Sequence, residues 1–417
     1  MKNELLQTAI SNFEDSANRL NLSSRIYDNL FSPKERIECS ITPILSDGKH
    51  INIKAYLVRH NDVLGPSKGG IRMSTTVTLD DITGLAMEMT WKTALIGVPF
   101  GGGKSGICYD GASLSPDDKE IVLRSFTRGM CRHIGPEIYI PAPDMGTNEA
   151  DMGHIKDCIA YSNGVAITKG CYVTGKPIVL GGIIGRREAT GNGVAYSVQA
   201  ACGKLGLDIK GSKVVVQGFG NVGSVAASVL DKMGAKIIAL SDVSGALFND
   251  NGIDIDQLLK YAATNGGMIK GFASAQSIKP HEIFELPCEI LIPAAAQSQI
   301  TADNAGKIRA KIIAEGANAP TTPQADEILN QKHIFVIPDI LCNAGGVFVS
   351  YLEYAQETQR EQMTLEYVQS RLSKRMSEKF EQVYSYRQSQ NVSMRNAAMD
   401  IAIKTVAQGL TSRGFHP

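Results

Sequence analysis

Three lysines and an aspartate in the first third of the chain stand in unusual company. Lys68 lies in GPSKGGIR, Lys92 in MTWKTAL, Lys104 in PFGGGKSG and Asp144 in IPAPDMGTN. A lysine is ordinarily a solvated surface residue. Here Lys92 follows the only Trp of the chain in an otherwise apolar segment, and Lys104 is flanked by Gly101–Gly103 and by Gly106. Glycines around a charge let a small molecule approach the backbone closely. Three lysines converging on one place would attract a small dianion.

The second chemical signal lies in the middle of the chain. Val214-Val215-Val216 reads as a short apolar strand, Gly218-Phe219-Gly220-Asn221-Val222-Gly223 follows, and Ser224–Met233 has helical composition. Ile237–Leu240 is the next strand, and Asp242 stands 19 residues beyond Gly223. A G-x-G-x-x-G between a strand and a helix, with an acid about 20 residues on, is the dinucleotide-binding context. Gly218 would make the tight turn, Gly220 would admit the pyrophosphate and Gly223 would allow close helix–strand packing. The phosphates would sit on the free N–H groups of the helix N-terminus. Asp242 is placed to accept from ribose hydroxyls, and its charge disfavours a 2′-phosphate, so NAD is favoured while NADP stays possible. Two other lysine–glycine strings do not support nucleotide hydrolysis. Gly97–Ser105 has Val98 where a P-loop needs its first glycine, and Gly170–Lys176 is followed by Pro177 in place of the hydroxyl residue.

These residues need elements to hold them. The first 35 residues show helical spacing (Leu5, Leu6, Ala9, Ile10, Phe13), and Ile51–Val58 reads as a strand. Gly65–Gly111 is dense in Gly and Pro around one helical stretch, Leu79–Leu95. A helix follows over Pro116–His133 and a short strand over Ile138–Pro143. The loop-rich stretch Gly164–Gly193 is the candidate connection between domains. From Thr190 to about Phe335 helices alternate with short apolar strands, the pattern of a parallel doubly wound sheet. Ser393–Leu410 reads as a terminal helix that ends at Gly414. The expected class is therefore α/β.

Bulk properties exclude several alternatives. Lys+Arg and Asp+Glu number 42 each, so the formal net charge is zero, against the basic excess of a nucleic-acid binder. An anionic membrane surface is unsupported on the same ground. Hydrophobic residues at 43% and charged residues at 20% suit a globular chain rather than a disordered one. The longest charge-free run, Val214–Leu230, is broken by glycines and falls short of a membrane span. The start MKNELLQTAISNFEDS has neither the pattern of a signal peptide nor that of a transit peptide, and a cytoplasmic protein is expected. The eight cysteines form no CxxC pair and read as buried small hydrophobes, with no metal site expected.

Taken in order, GPSKGGIR, MTWKTALIGVPFGGGKSG, IPAPDMGTN, VTGKP, ATGNGVAY, GFGNVG, AEGANAPTTPQAD and NAGGVFVSYLEYAQ resemble the segments of the glutamate dehydrogenases, within the wider glutamate/leucine/phenylalanine/valine dehydrogenase superfamily. The spacing matches too, 24 residues from Lys68 to Lys92, 12 more to Lys104 and 40 more to Asp144, and the match covers nearly the whole chain. The resemblance implies two domains with a cleft between them. One is an α/β substrate-binding and oligomerisation domain over 1–180, with the terminal helix 393–417 packing back on it. The other is a Rossmann-type NAD-binding domain over 181–392. It also implies a homohexamer.

Residue roles follow from the same resemblance. Lys92 would hold the substrate α-carboxylate, Lys104 would be the catalytic lysine and Asp144 the acid/base residue. Lys68 and Ser350 would grip the side-chain carboxylate, although Ser350 could instead bond its own helix backbone. In the superfamily members that act on apolar amino acids the position of Lys68 is apolar, and a buried lysine facing an apolar side chain would be an unpaired charge. Lys68 therefore points to glutamate, with 2-oxoglutarate and ammonium as products. Thr190 would open the nucleotide domain. Asn318 and Asn343 suit the nicotinamide ribose or carboxamide, or equally turn chemistry beside Gly and Pro. Ala296-Gln297-Ser298, Ser105 and Asn192 depart from the more usual family residues. The rival readings are a dehydrogenase of an apolar amino acid and a silent NAD-binding regulatory paralogue.

Overall fold

A computed structural model describes residues 4–166 and 169–415. The chain forms two compact units, one of Met1–Arg186, Phe348–Val368 and Met399–Pro417, the other of Arg187–Val347 and Gln369–Ala398.

The first unit opens with α1 (Glu4–Arg19) and α2 (Ser24–Phe31) and is built on β1 (Glu35–Ile41), β2 (Ile53–Asn61), β3 (Ser67–Met73), β4 (Gly101–Ile107) and β5 (Tyr139–Pro143). The order across this sheet is β1-β2-β4-β3-β5. β2 is antiparallel to both β1 and β4, while β3 runs parallel to β4 and β5. The connections carry α3 (Leu79–Ile96), α4 (Pro116–Met130) and α5 (Glu149–Ser162). Thr78 and Asp81 form a reciprocal capping box that starts α3, and Gly97 in the left-handed conformation (φ 72°) stops it. One face of the sheet meets Val122, Phe126 and Met130 of α4 and Met152 and Ile155 of α5. The other meets Ile82 and Ala86 of α3. Trp91 of α3 stacks on Phe13 of α1, with ring centroids 5.5 Å apart.

The glycine-dense text from Gly65 to Gly111 holds more order than its composition suggests. SKGGIRM and GGGKSGI are the two inner neighbours β3 and β4. Glycine is a poor strand former, but here any side chain would collide. A Cβ on Gly69 would lie 1.7 Å from the Gly103 carbonyl oxygen, and one on Gly102 would lie 2.1 Å from Thr90 Oγ1 of α3.

In the second unit α6 (Ala189–Leu205) leads into β6 (Lys213–Gln217), α7 (Asn221–Lys232), β7 (Lys236–Asp242), β8 (Gly245–Phe248), α8 (Ile255–Thr264) and β9 (Gln276–Ile278). β10 (Ile290–Pro293), α9 (Ala302–Ala305), β11 (Ile312–Ala314), α10 (Pro323–Gln331), β12 (Phe335–Ile337) and α11 (Asp339–Cys342) complete the alternation. Three helices end the chain, α12 (Gly345–Gln359), α13 (Leu365–Gln390) and α14 (Met394–Arg413). The sheet order is β12-β11-β10-β6-β7-β8-β9. Its first five strands are parallel, as expected of a doubly wound sheet. β8 and β9 correct that expectation, since both pair antiparallel. β7 and β8 are joined by the two residues Val243 and Ser244, a link too short for a parallel crossover.

The units change over after Arg186 and after Ala398, against the expected 180/181 and 392/393. Besides the C-terminal segment, Phe348–Val368 belongs to the first unit, because Ser350 bonds Arg186 and Glu353 and Glu357 bond Lys176. Residues 416 and 417 of the expected terminal helix lie outside the described residues.

Candidate active site

Register in the first unit gathers the charged residues singled out above. Lys68 of β3 pairs with Gly102 of β4, and Arg72 with Gly106. Partners across parallel strands share a face, and side chains alternate along each strand. Lys68, Arg72 and Lys104 therefore leave the sheet on the same side. That side is the one α3 covers, since Gly102 faces Thr90 and Gly106 faces Ile82, and Lys92 of α3 lies near enough to Lys104 to act on its charge. All three lysines are buried, Lys68 at 2% exposure, Lys104 at 4% and Lys92 at 6%.

Asp144 follows β5 directly. Its Oδ2 lies 2.8 Å from Lys104 Nζ and accepts from Arg72 Nε at 3.2 Å. Its backbone N–H donates to Thr147 Oγ1, which in turn donates to the Ile71 carbonyl at 2.8 Å, so the carboxylate is fixed from both ends. Gly70 leaves the room it needs, since a Cβ there would stand 2.7 Å from Asp144 Cβ. Burial lowers the pKa of Lys104, with Arg72 and Lys92 adding to the shift and Asp144 opposing it. For Asp144 burial alone would raise the pKa, but Lys104 and Arg72 outweigh it and hold the carboxyl well below the usual carboxylate range. The arrangement is an ionised acceptor beside an ammonium whose charge burial disfavours.

A second group completes this side. Burial, reinforced by the like charge of Arg186, pushes the Lys68 ammonium down to about 7. Ser350, on the part of α12 that belongs to the first unit, accepts from Arg186 Nε at 2.8 Å. Its hydroxyl is thus turned to a side chain across the fold. Arg186 was not singled out from the sequence, where its only signal is a pair of arginines just before Glu188-Ala189-Thr190. The two P-loop-like strings are structural. Gly101–Ser105 is strand, and Lys176 is a buried ion-pair partner of Glu353 (2.6 Å) and Glu357 (2.9 Å).

In the second unit the strand order reverses between β10 and β6, the place where doubly wound sheets bind ligands beyond the carboxyl ends of their strands. Gly218 there has φ 95°, and a Cβ on it would meet the Ala294 backbone at 2.8 Å. A Cβ on Gly223 would strike the Gly218 carbonyl at 1.8 Å, whereas one on Gly220 would meet nothing within 4 Å. Only the middle glycine faces open space, as a cradle for phosphates requires. Asn221 and Val222 form the first turn of α7, and Thr190 the first turn of α6. Asn343 Nδ2 donates to Asn318 Oδ1 at 3.1 Å, bringing the two amides together. Asp242 is committed locally as well. Its Oδ1 accepts from the N–H and Oγ of Ser244 and from Gly245 N, and its Oδ2 from Ile269 N. Ser298, in the departing Ala296-Gln297-Ser298 segment, donates its N–H to the Ala319 carbonyl beside Asn318. Ser105 bonds Tyr139 OH at 2.9 Å. Among the described residues no group of three or more His, Cys, Asp or Glu could hold a metal, and no helix is long and apolar enough to cross a membrane. The eight cysteines are free thiols.

A doubly wound dinucleotide unit and a lysine-lined α/β unit define an amino-acid dehydrogenase architecture, and comparison with known proteins agrees. The model of the Glu/Leu/Phe/Val dehydrogenase dimerisation domain matches residues 33–161, and that of the Glutamate/Leucine/Phenylalanine/Valine dehydrogenase domain matches residues 181–414. The chain belongs to this family. It is 42% identical over 415 residues to a glutamate dehydrogenase of Thermotoga maritima, covering 99% of both chains. It is 38% identical over 413 residues to an NAD-specific glutamate dehydrogenase of Staphylococcus aureus, again covering 99% of both. The solved hetero-hexameric glutamate dehydrogenase of Thermus thermophilus in a Leu-bound form superposes with a TM-score of 0.95 at 30% identity, over 100% of this chain and 99% of that one.

Proposed function

We infer that this chain is an NAD-dependent glutamate dehydrogenase, catalysing the reversible conversion of L-glutamate, NAD⁺ and water to 2-oxoglutarate, ammonium and NADH. The observation that carries the choice of substrate is the burial of Lys68 beside Arg186 and near Ser350. Glu353 acts on both cations but is itself paired with Lys176, so it offsets them only in part; a substrate side-chain carboxylate would supply the remainder through charge-assisted hydrogen bonds.

Lys92 holds the α-carboxylate in this reading. Asp144, ionised in the free protein, accepts the proton of the substrate ammonium. Lys104, its pKa lowered by burial, activates the water that attacks the iminium carbon and stabilises the oxygen charge that develops. Gly218, Gly220, Asn221, Val222 and Gly223 would hold the pyrophosphate, Asp242 the adenosine ribose, and Thr190, Asn318 and Asn343 the nicotinamide end. When bound, the dinucleotide supplies the hydride acceptor. Asp242 favours NAD over NADP by its charge, and the NAD-specific relative supports the same choice. A cytoplasmic homohexamer completes the proposal; the Thermus relative, a hetero-hexamer, supports the number of subunits and not their identity.

The test is absorbance at the reduced-nicotinamide band with glutamate, leucine or phenylalanine, and with NAD or NADP in parallel. Glutamate with NAD should give the dominant rate. Turnover of leucine alone would overturn the substrate assignment, and turnover with NADP alone the role of Asp242.

A further inference from the structure

The segment Glu315–Pro320 runs from the end of β11 toward α10 and carries Asn318. Asn343 closes α11, one turn after Asp339. These two stretches meet through the Asn343–Asn318 hydrogen bond, and they are tied together again at their bases. Glu315, fully buried, accepts the Asp339 N–H at 2.9 Å, and Asp339 Oδ2 accepts the Ala319 N–H at 2.8 Å. One side chain from a third element holds both bases. Arg395, in the first turn of α14, forms a bidentate pair with Glu315 (Nη1–Oε2 3.0 Å, Nη2–Oε1 2.6 Å). It also reaches Asp326 at 3.2 Å and Asp339 at 3.7 Å.

A single arginine facing three carboxylates in a buried setting is not the arrangement stability alone would select, since such groups seldom outperform a well-packed apolar cluster. Burial pushes the Glu315 carboxyl up, with Arg395 opposing and Asp339 adding to the rise. What the network does geometrically is fix the two amide-bearing stretches. Ala319, the neighbour of Asn318, sits at φ 44°, a left-handed conformation that a non-glycine residue keeps only when its surroundings over-determine it. The Asp339 carboxylate bonded to its N–H and the Ser298 N–H bonded to its carbonyl supply that constraint.

We propose that Arg395, through Glu315 and Asp339, is a positioning residue that sets the Asn318–Asn343 amide pair for the nicotinamide end of the dinucleotide. The proposal rests on the assignment of those amides to the dinucleotide site. It requires no contact between Arg395 and the dinucleotide. The bidentate fork is essential to it, because lysine supplies the charge without the second hydrogen bond.

The experiment compares R395K, E315Q, N318A and the double variant R395K/N318A in the full-length protein. Melting temperature reports folding, NADH fluorescence reports binding, and steady-state rates give KM for NAD and for glutamate separately. R395K and E315Q should each raise the NADH Kd and the KM for NAD about tenfold, with the KM for glutamate within about twofold of the parent, for a change of ~1.4 kcal/mol per decade. The double variant should bind NADH no more weakly than N318A alone, because the effect of Arg395 passes through Asn318. If N318A leaves NADH binding unchanged, the amide assignment itself fails and this proposal with it. If N318A weakens binding while folded R395K and E315Q do not, the assignment stands and the proposal is overturned. Equal losses toward NAD and glutamate, additive effects in the double variant, or failure of both R395K and E315Q to fold would make the network structural and also overturn it.

Discussion

Replacing Lys68 by leucine separates the glutamate reading from its apolar-substrate rival. Lys68 is 2% exposed, so its ammonium would meet a substrate carboxylate out of water. Losing one partner of a buried, hydrogen-bonded charge pair costs about 2–5 kcal/mol. Arg186 and Ser350 remain in the variant and keep part of the anion's solvation, which places the loss toward the lower end. A loss of about 2–3 kcal/mol corresponds to a ~30- to ~150-fold fall in kcat/KM for glutamate. The group touched is remote from the reacting carbon, so most of the fall should appear in KM. Arg186 also limits the reward on the other side. It stays behind as a half-buried cation that Glu353 and Glu149 only partly offset, so leucine turnover should rise by less than about tenfold. Initial rates with both amino acids at saturating NAD give the two numbers, and the melting temperature controls for damage. Unchanged kcat/KM for glutamate in a folded K68L variant would refute the reasoning, as would equal losses toward glutamate and leucine.

Further outcomes follow from the same geometry. Lys68 grips a carboxylate only while protonated, and its free-state pKa lies at about 7, so kcat/KM for glutamate should carry an alkaline limb that begins there and vanishes in K68L. Burial disfavours the charged form of Lys104, and K104M should remove turnover while leaving NADH fluorescence titrations unchanged. The glycines of the two units should fail differently. In G69A the new Cβ lies 1.7 Å from a carbonyl oxygen, and overpacking of this kind costs about 1–3 kcal/mol, visible as a lowered melting temperature. G220A meets nothing within 4 Å and should melt like the parent but bind NADH at least tenfold more weakly, the expected size for a methyl intruding where phosphate approaches (~1.4 kcal/mol per decade). D242N removes the charge, giving up the bond that Oδ2 accepts from the Ile269 N–H, and should shift the NADP/NAD ratio of kcat/KM upward by ~5-fold, since a partly exposed charge contact is worth ~1 kcal/mol.

How much of this was readable in the chain depends on the range of the interactions involved. The strand, turn and helix around Gly218–Gly223 are local, and each residue choice there agrees with its neighbours, so the sequence conveys the element and its use together. Leu79–Leu95 is legible for the same reason: its cap residues Thr78, Asp81 and Gly97 are adjacent to it. β3 and β4 are not. Their glycines speak for loops in isolation and become strands only because α3 and the neighbouring backbones press on them, a fact held in residues far along the chain. The antiparallel β8 and β9 were hidden because a two-residue link after Asp242 resembles any other turn. Lys68, Lys104 and Asp144 were found from company and spacing, while Arg186 stands in a loop with no period and no glycine cradle. Its importance appears only when Ser350, 164 residues later, lies against it.

Lys176 carries one more consequence. It is wholly enclosed and holds Glu353 and Glu357, which lie three and seven residues beyond Ser350 on α12. At about 100° per residue, both carboxylates lie within about 60° of Ser350 around the helix axis. The lysine therefore acts as a key in a keyway: it sets the azimuth of α12, and the bearing of the Ser350 hydroxyl with it. Slippage by one residue would swing that hydroxyl about 100° away from Arg186 and would tear two carboxylates from their cation at once. A helix keyed in this way cannot roll to admit a bulkier or less polar side chain. Changes in substrate range must then come by replacing Lys68, Arg186 or Ser350 themselves, one residue at a time, and the aperture they frame stays rigid while they do.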